Sequence, residues 1–275
     1  MTMLKPRLLA ATTPLDRLVK NLDQLSNLIE KTNNSVEASQ LCKDCYQLAA
    51  HLEPYLKANT TPHSQSLNLI EEVTESEDWQ QDYSDKKTVR KLENGMLSGH
   101  VEGQFLKMIV HMTQAKNILE IGMFTGYSAL AMAESMPSTG KLIACEVDSY
   151  AADIAQKCFD ASPHGNKITI KLGAAQDTLQ ELAEDNQSFD LVFIDADKTG
   201  YWTYYQTLLG ENLVSSGSFI CVDNTLLQGR PYFNDGEVSD NGSAIAQFNQ
   251  NLAMDDRVEQ VILPLRDGLT IIRCK

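Results

Sequence analysis

The chain lacks a surplus of positive charge, a long apolar run and any paired set of cysteine motifs. Lys and Arg number 23 against 37 Asp and Glu, a net charge of -14. Such a surface repels a phosphate backbone and an anionic membrane alike, so neither nucleic acid nor membrane is an expected partner. No stretch approaches the roughly 20 apolar residues of a membrane span. The apolar run after Lys5 and Arg7, from Leu8 to Ala11, is too short for a secretory leader, and a cytoplasmic protein is expected. The six cysteines are scattered. Cys42 and Cys45 form a lone C-x-x-C with no second pair and no neighbouring histidine, which predicts free thiols rather than zinc or disulfides. Hydrophobic (43%) and charged (22%) fractions are ordinary, which excludes disordered and fibrous classes and leaves one large α/β domain with an appendage.

What is present changes character near residue 117. Before it, Leu15, Leu18, Val19, Leu22, Leu25, Leu28 and Ile29 recur at three- and four-residue steps. Leu41, Tyr46, Leu48, Ala49, Leu52 and Leu56 predict a second helix ending near Pro62. Residues 71–87 carry Glu71, Glu72, Glu75, Glu77, Asp78, Asp82 and Asp85 and read as a solvated linker or exposed helix. After residue 117, strand-like runs at 117–121, 142–147, 168–172, 191–195 and 219–222 alternate with helical stretches at 127–136, 150–161, 178–184 and 201–211. That alternation predicts a parallel, doubly wound sheet covered on both faces. A helix at 244–254 follows. Runs at 258–265 and 269–274, joined through Arg266-Asp267-Gly268, then read as an antiparallel hairpin.

The first strand runs into Glu120-Ile121-Gly122-Met123-Phe124-Thr125-Gly126-Tyr127-Ser128. Gly122 and Gly126 allow a tight turn and close approach of a ligand to a helix start. A dinucleotide site needs G-x-G-x-x-G, but Phe124 fills the middle position and Glu120 would repel a pyrophosphate; the turn suits a cofactor without phosphates and with an ammonium group. Glu146, at the end of the second strand, is placed to accept from ribose hydroxyls, while Asp148 or Ser149 is the more natural helix cap. Gly173-Ala174-Ala175 offers small side chains for a flat ring. The fourth and fifth strands end in Asp195-Ala196-Asp197-Lys198 and Asp223-Asn224, at the sheet edge where open α/β sheets bind ligands. Asp195, Asp223 and Asn224 supply hard oxygen donors suited to Mg²⁺, Mn²⁺ or Ca²⁺, on which two vicinal oxygens of an acceptor can chelate. The alternative for Asp195 is a helix N-cap. Lys198 is a candidate general base if burial and the ion depress its pKa.

Glu102-Gly103-Gln104-Phe105-Leu106, Glu120-Ile121-Gly122, Asp195-Ala196-Asp197-Lys198 and Asp223-Asn224-Thr225-Leu226 stand in order, at spacings that resemble the cation-dependent class I O-methyltransferases, a family that includes caffeoyl-CoA and catechol enzymes. The resemblance spans roughly Met96 to Lys275. It implies a Rossmann-like fold with a seven-stranded sheet and antiparallel last strand, a helical N-terminal extension over 1–90 and a methyltransferase domain over 91–275. It further implies S-adenosylmethionine contacts at Met96, Ser98, Glu120, Gly122, Ser128, Glu146, Ala175 and Asp197, metal ligation by Asp195, Asp223 and Asn224, and Lys198 with Asp195 in catalysis. Relatives of this kind are commonly homodimers. Plant caffeoyl-CoA enzymes follow Asp-Asn-Thr-Leu with an aromatic Trp platform, where this chain has Leu227-Gln228-Gly229; a smaller vicinal diol or enediol is therefore the expected acceptor. With its N-terminal helices included, the chain resembles the cyanobacterial O-methyltransferases of 4-deoxygadusol formation, which implies an oxygenated cyclohexenone acceptor. The competing readings are a catechol or caffeoyl-CoA-type phenolic methyltransferase, an NAD-linked reductase using Tyr201 or Tyr204 beside Lys198, and a non-catalytic binding module.

Overall fold

A computed structural model describes residues 13–31, 36–233 and 239–275. Residue pairing orders its seven strands β3-β2-β1-β4-β5-β7-β6. These are β1 (Asn117–Ile121), β2 (Lys141–Glu146), β3 (Ile168–Leu172), β4 (Phe189–Ile194), β5 (Val214–Val222), β6 (Val258–Leu263) and β7 (Leu269–Cys274). The first five pair in parallel; β7 runs antiparallel to both β5 and β6.

Continuous apolar runs make buried strands here because both faces are covered, and successive side chains point to opposite layers. Ile118, Leu142, Ala144, Leu191, Phe193 and Cys221 join one core, with α5 (Gly99–Thr113), α6 (Tyr127–Ser135) and α7 (Ser149–Asp160). Leu119, Ile121, Cys145, Val192, Ile194, Ile220 and Val222 join the other, with α8 (Ala175–Glu184), α9 (Tyr201–Gly210) and α10 (Asp240–Ala253). Strand order reverses between β1 and β4, so the crevice beyond their carboxyl ends is the natural ligand site.

The N-terminal helices are α1 (Pro14–Lys31) and α2 (Val36–Ala58); α2 stops short of Pro62 and passes through Pro54. Of the two readings of residues 71–87, the solvated linker fails and the exposed helix holds in part, since the stretch is largely helical yet buries one face. Helix α3 (Gln65–Ser76) buries Leu67, Ile70 and Thr74, and α4 (Trp79–Ser84) buries Trp79 and Asp82. The acids occupy the outer face and mask an inner one: the Thr74 and Thr125 hydroxyls meet at 2.8 Å, and the Trp79 ring lies 5.0 Å from that of Phe124.

Three further boundaries differ from expectation. Helix α5, which buries Glu102, Gly103, Leu106, Ile109 and Val110 along one face, stood outside the expected elements. Strand β5 begins at Val214 rather than 219, because Ser215, Ser216 and Gly217 look like a loop yet extend the strand. The β6–β7 connection spans residues 264–268, longer than an Asp-Gly hairpin turn, with Arg266 at φ 47° and the Gly268 N–H donating to the Leu265 carbonyl. All six cysteines are free thiols; Cys42 is buried with its Sγ 3.4 Å from the Leu22 carbonyl oxygen, whereas Cys45 is exposed. None of the described helices is long and apolar enough to cross a membrane.

Candidate functional site

The β1–α6 turn is where the backbone is most constrained. Gly122 sits at φ 90°, and a Cβ there would collide with the Asp195 carbonyl. Only glycine lets the end of β1 approach the end of β4 this closely. Gly126, at φ 87°, likewise leaves room for the Phe159 ring. Two neighbouring backbone bonds complete the joint: the Asp195 N–H donates to the Ile121 carbonyl and the Gly122 N–H to that of Cys145.

Two adjoining cavities open over this edge. The smaller, about 200 Å³, is bordered by Gly122, Glu146, Gly173, Ala175, Asp197 and Tyr204. Glu146 is buried, and its carboxylate accepts from the backbone N–H groups of Phe124 (2.6 Å), Val147 (2.8 Å) and Asp148 (2.9 Å). Asp148 takes the capping role, accepting from the N–H groups of Tyr150 and Ala151 at the start of α7, which leaves Glu146 at the cavity. Asp197 accepts from the Tyr204 hydroxyl at 2.6 Å. Glu120 and Ser128 lie beneath the turn and outside the lining of both cavities. Glu120 is fully buried, accepts from the Ser128 hydroxyl at 2.5 Å and leaves Oε2 unpartnered. Burial pushes its carboxyl well above the usual carboxylate range, the Ser128 bond notwithstanding.

The larger cavity, about 380 Å³, gathers Met96, Ser98, Asp195, Lys198, Asp223 and Asn224. Asp195 and Asp223 each follow directly on a strand end, so both carboxylates stand at one edge. Asp195 caps no helix: its Oδ1 accepts from Lys198 Nζ at 2.8 Å. Lys198 also donates to the Tyr201 hydroxyl at 2.8 Å, and that hydroxyl donates to the Asp223 carbonyl. Burial alone would lower the Lys198 ammonium; Asp195, Tyr201 and Asp223 outweigh it, so without a cation Lys198 is held above its ordinary range, not below it. Burial first, then the neighbouring Asp195, raises the Asp223 carboxyl to about 7. Asn224 stands at φ 58°, a left-handed conformation that asparagine tolerates, and its N–H donates to Asp223 Oδ1 at 2.7 Å. No group of three His, Cys, Asp or Glu side chains gathers into a metal cage among the described residues; two carboxylates and an amide are what this edge offers.

Several site residues carried no role in the sequence reading. Arg90 borders both cavities, its Nη2 3.8 Å from Glu146. Arg266 donates to the carbonyls of Leu97 and Ser98 and to Glu102 Oε2 at 3.2 Å, so the β6–β7 connection holds the segment bearing Met96 and Ser98. Glu102 is buried with Oε1 unpartnered, and burial, with Asp223 adding to it, raises its carboxyl well above the usual range. Asp267, buried beside the same cavity, is raised by burial to about 7. Membership in the Glu-Gly-Gln-Phe-Leu and Arg-Asp-Gly segments alone marked Glu102, Arg266 and Asp267 in advance, and no motif marked Arg90.

Residues 71–275 match the family model described as O-methyltransferase. A probable caffeoyl-CoA O-methyltransferase of Dictyostelium discoideum is 37% identical over 179 residues, 64% of this chain and 77% of that protein. Caffeoyl-CoA O-methyltransferase 2 of Petunia hybrida is 35% identical over 196 residues, 66% of this chain and 77% of its own. Among solved structures, the SAH-bound methyltransferase PaMTH1 of Podospora anserina superposes with TM-score 0.72 at 27% identity, covering 83% of this chain and 96% of that one. Glycine turn, two cavities and acidic strand ends thus lie within a sequence and fold that are shared with known methyltransferases, against which an NAD-linked reductase finds no support. The chain belongs to the O-methyltransferase family and is an S-adenosylmethionine-dependent O-methyltransferase on a Rossmann-like sheet.

Proposed function

We propose that the enzyme transfers the methyl group to one of two adjacent oxygens of a small acceptor, held on a divalent cation by Asp195, Asp223 and Asn224. The observation that carries this reading is the donor set: two carboxylates and a carboxamide, all oxygen, converging from consecutive strand ends with one lysine as counter-charge. Such donors fit Mg²⁺, Mn²⁺ or Ca²⁺. Asp223 fits as well, because a buried carboxyl held near 7 is one that a cation would restore to its charged form. When bound, the cation lowers the pKa of the acceptor hydroxyl and fixes both oxygens in place.

This chain's residues do the rest. Met96, Ser98, Glu120, Gly122, Ser128, Glu146, Ala175 and Asp197 are assigned to the cofactor: Glu146 faces the ribose, Ala175 the flat ring, and Asp197 the methionyl end. Glu120 acts from beneath the turn through Ser128, its unpartnered Oε2 being the atom left for a cationic ligand. Lys198 is assigned as base, with Tyr201 orienting its Nζ. Two of the groups that keep it protonated in the cation-free chain, Asp195 and Asp223, are the ones assigned to the metal; engaged there, they would hold the proton less strongly and leave burial, which lowers the ammonium, opposed chiefly by Tyr201.

The two cavities together suit S-adenosylmethionine and a ring-sized acceptor, and Leu227 gives an apolar wall without an aromatic platform. A vicinal diol or enediol, of which an oxygenated cyclohexenone precursor of 4-deoxygadusol is one, is therefore the preferred class. The relatives' names support a second reading, a caffeoyl-CoA-type phenol. A homodimer is part of the proposal, with the exposed leucines of α2 as contact surface. Replacing Asp195 and Asp223 together with Ala is expected to reduce methyl transfer at least 10³-fold while SAH affinity, measured by calorimetry, changes less than about tenfold. Wild-type turnover that survives exhaustive chelation would refute the cation.

A further inference from the structure

The larger cavity is bordered by Thr13, the residue immediately before α1, and both lie outside the matched family segment, which begins at residue 71. Thr13, immediately before α1, is 7% exposed and borders that cavity together with Leu227, Gln228, Asn241 and Asp267. Its position is built: the Asp16 N–H donates to Thr13 Oγ1 at 3.1 Å and the Thr13 N–H to Asp16 Oδ2 at 2.9 Å, a reciprocal pair that fixes the helix start. One turn on, Arg17 Nη1 donates to the Gln228 carbonyl at 2.9 Å, and its guanidinium lies 5.4 Å from the centre of the Phe233 ring.

Gln228 is held from both sides. Its N–H donates to Asp267 Oδ1 at 2.5 Å while its carbonyl accepts from Arg17. The turn needs that support, since Leu227 (φ 36°) and Gln228 (φ 56°) both occupy the left-handed region, where non-glycine residues are strained. Asp16 also adds to the charge that keeps Asp267 raised. Helix α1 therefore touches the segment that follows the Asp223-Asn224 strand end at two points, a hydrogen bond and a ring contact, while Thr13 just before it borders the same cavity.

Resting on the function proposed above, we infer that the start of α1 is the acceptor-side wall, with Thr13 and Arg17 as specificity-determining residues that restrict the acceptor to a compact, ring-sized molecule without a long tail. The volume agrees: about 380 Å³ has to hold the methionyl end as well as the acceptor, near the lower limit for small-molecule pockets. A strained turn held by Arg17 on one side and Asp267 on the other also makes wall and acceptor geometry one unit. Loss of Arg17 removes one of these two supports and loosens the wall, whereas a large side chain at position 13 fills the cavity.

The full chain is compared as wild type, Arg17→Ala and Thr13→Trp, with Mg²⁺ and S-adenosylmethionine, on catechol as compact probe and caffeoyl-CoA as tailed probe. Wild type is expected to favour catechol at least tenfold in kcat/KM. Arg17→Ala narrows that preference at least tenfold, through a higher catechol KM, and speeds amide exchange at residues 14–20 about tenfold. Thr13→Trp raises the catechol KM at least tenfold with SAH Kd within twofold of wild type, a split that general unfolding would not give. Either variant retaining wild-type KM and preference within twofold overturns the wall. Wild type that methylates neither probe counts against phenolic acceptors in the function reading and leaves the wall to be tested by binding. In that case catechol is titrated into the SAH-loaded, Mg²⁺-containing protein; the wall stands if binding is seen and Thr13→Trp weakens it at least tenfold, and falls otherwise.

Discussion

Glu120 is a carboxyl set in the core at the end of β1, with one oxygen bonded to Ser128 and the other bonded to nothing. A buried acid with a raised pKa costs stability once the pH exceeds its unfolded value, because the folded state must either keep a proton that water would take or hold an unpaired charge. The sign follows directly: stability is greatest below about pH 4.3 and declines as pH rises toward the folded value. Glu120→Gln keeps the shape and removes the titration. The variant is expected to melt a few degrees higher than wild type at pH 8 and to match it near pH 4.5 in calorimetric scans. If the assignment to the cofactor's cationic end holds, the same variant binds S-adenosylmethionine at least tenfold more weakly, at about 1.4 kcal/mol per decade. Equal melting at pH 8 with unchanged binding would remove Glu120 from the site. A cost in the apo fold recovered only with ligand is the usual pattern for a group kept for binding.

Among the elements, the β1–α6 turn couples fold to site, and Gly122 is the position on which it depends. Its positive φ and the Asp195 carbonyl leave no space for a methyl group. Gly122→Ala is expected to destabilise the protein by about 2–4 kcal/mol, strain and collision together. Because the collision pushes the β4 end outward, activity falls further than stability alone explains. Chemical denaturation and kcat/KM measured on one preparation separate the two effects. This turn, the five parallel strands and the C-terminal hairpin were legible in sequence because each rests on local chemistry: β-branched runs, paired glycines, acids at strand ends. The acidic stretch over 71–87 was not, since composition averages the two faces of a helix and hides Leu67, Ile70 and Thr74 behind surface glutamates. Nor were the contacts of Arg266 with Leu97, Ser98 and Glu102 or of Arg17 with Gln228, which join residues 164 to 211 positions apart. Spacing along a chain says nothing about a bond that only the closed sheet brings together. The same limit applies to Lys198: burial was foreseeable, the carboxylates that reverse its effect less so.

At the scale of the whole molecule, negative charge is both abundant and unevenly spread. The net charge is -14, and acids that fold into the interior with raised pKa values, Glu102, Glu120 and Asp267, crowd toward the carboxyl edge of the sheet. For Asp267 the folded value is about 7; unfolded carboxylates titrate near 4. Between those limits the folded state binds more protons than the unfolded one, so stability falls as pH rises through that window and levels above it. Self-repulsion of the acidic surface acts in the same direction. At roughly 2–4 °C per kcal/mol for a chain of this size, a net effect of a few kcal/mol predicts that the ligand-free protein melts about 5–10 °C higher at pH 5.5 than at pH 8. A divalent cation bound by Asp195, Asp223 and Asn224 places positive charge among these acids, so saturating Mg²⁺ is expected to raise the melting temperature at pH 8 and to do little at pH 5.5, where protons already serve. The Asp195→Ala, Asp223→Ala pair should lose the Mg²⁺ effect and keep the pH effect of Asp267. Melting that rises from pH 5.5 to pH 8 in wild type would show that these carboxyls ionise freely in the fold, and the charge balance drawn for the site would be wrong.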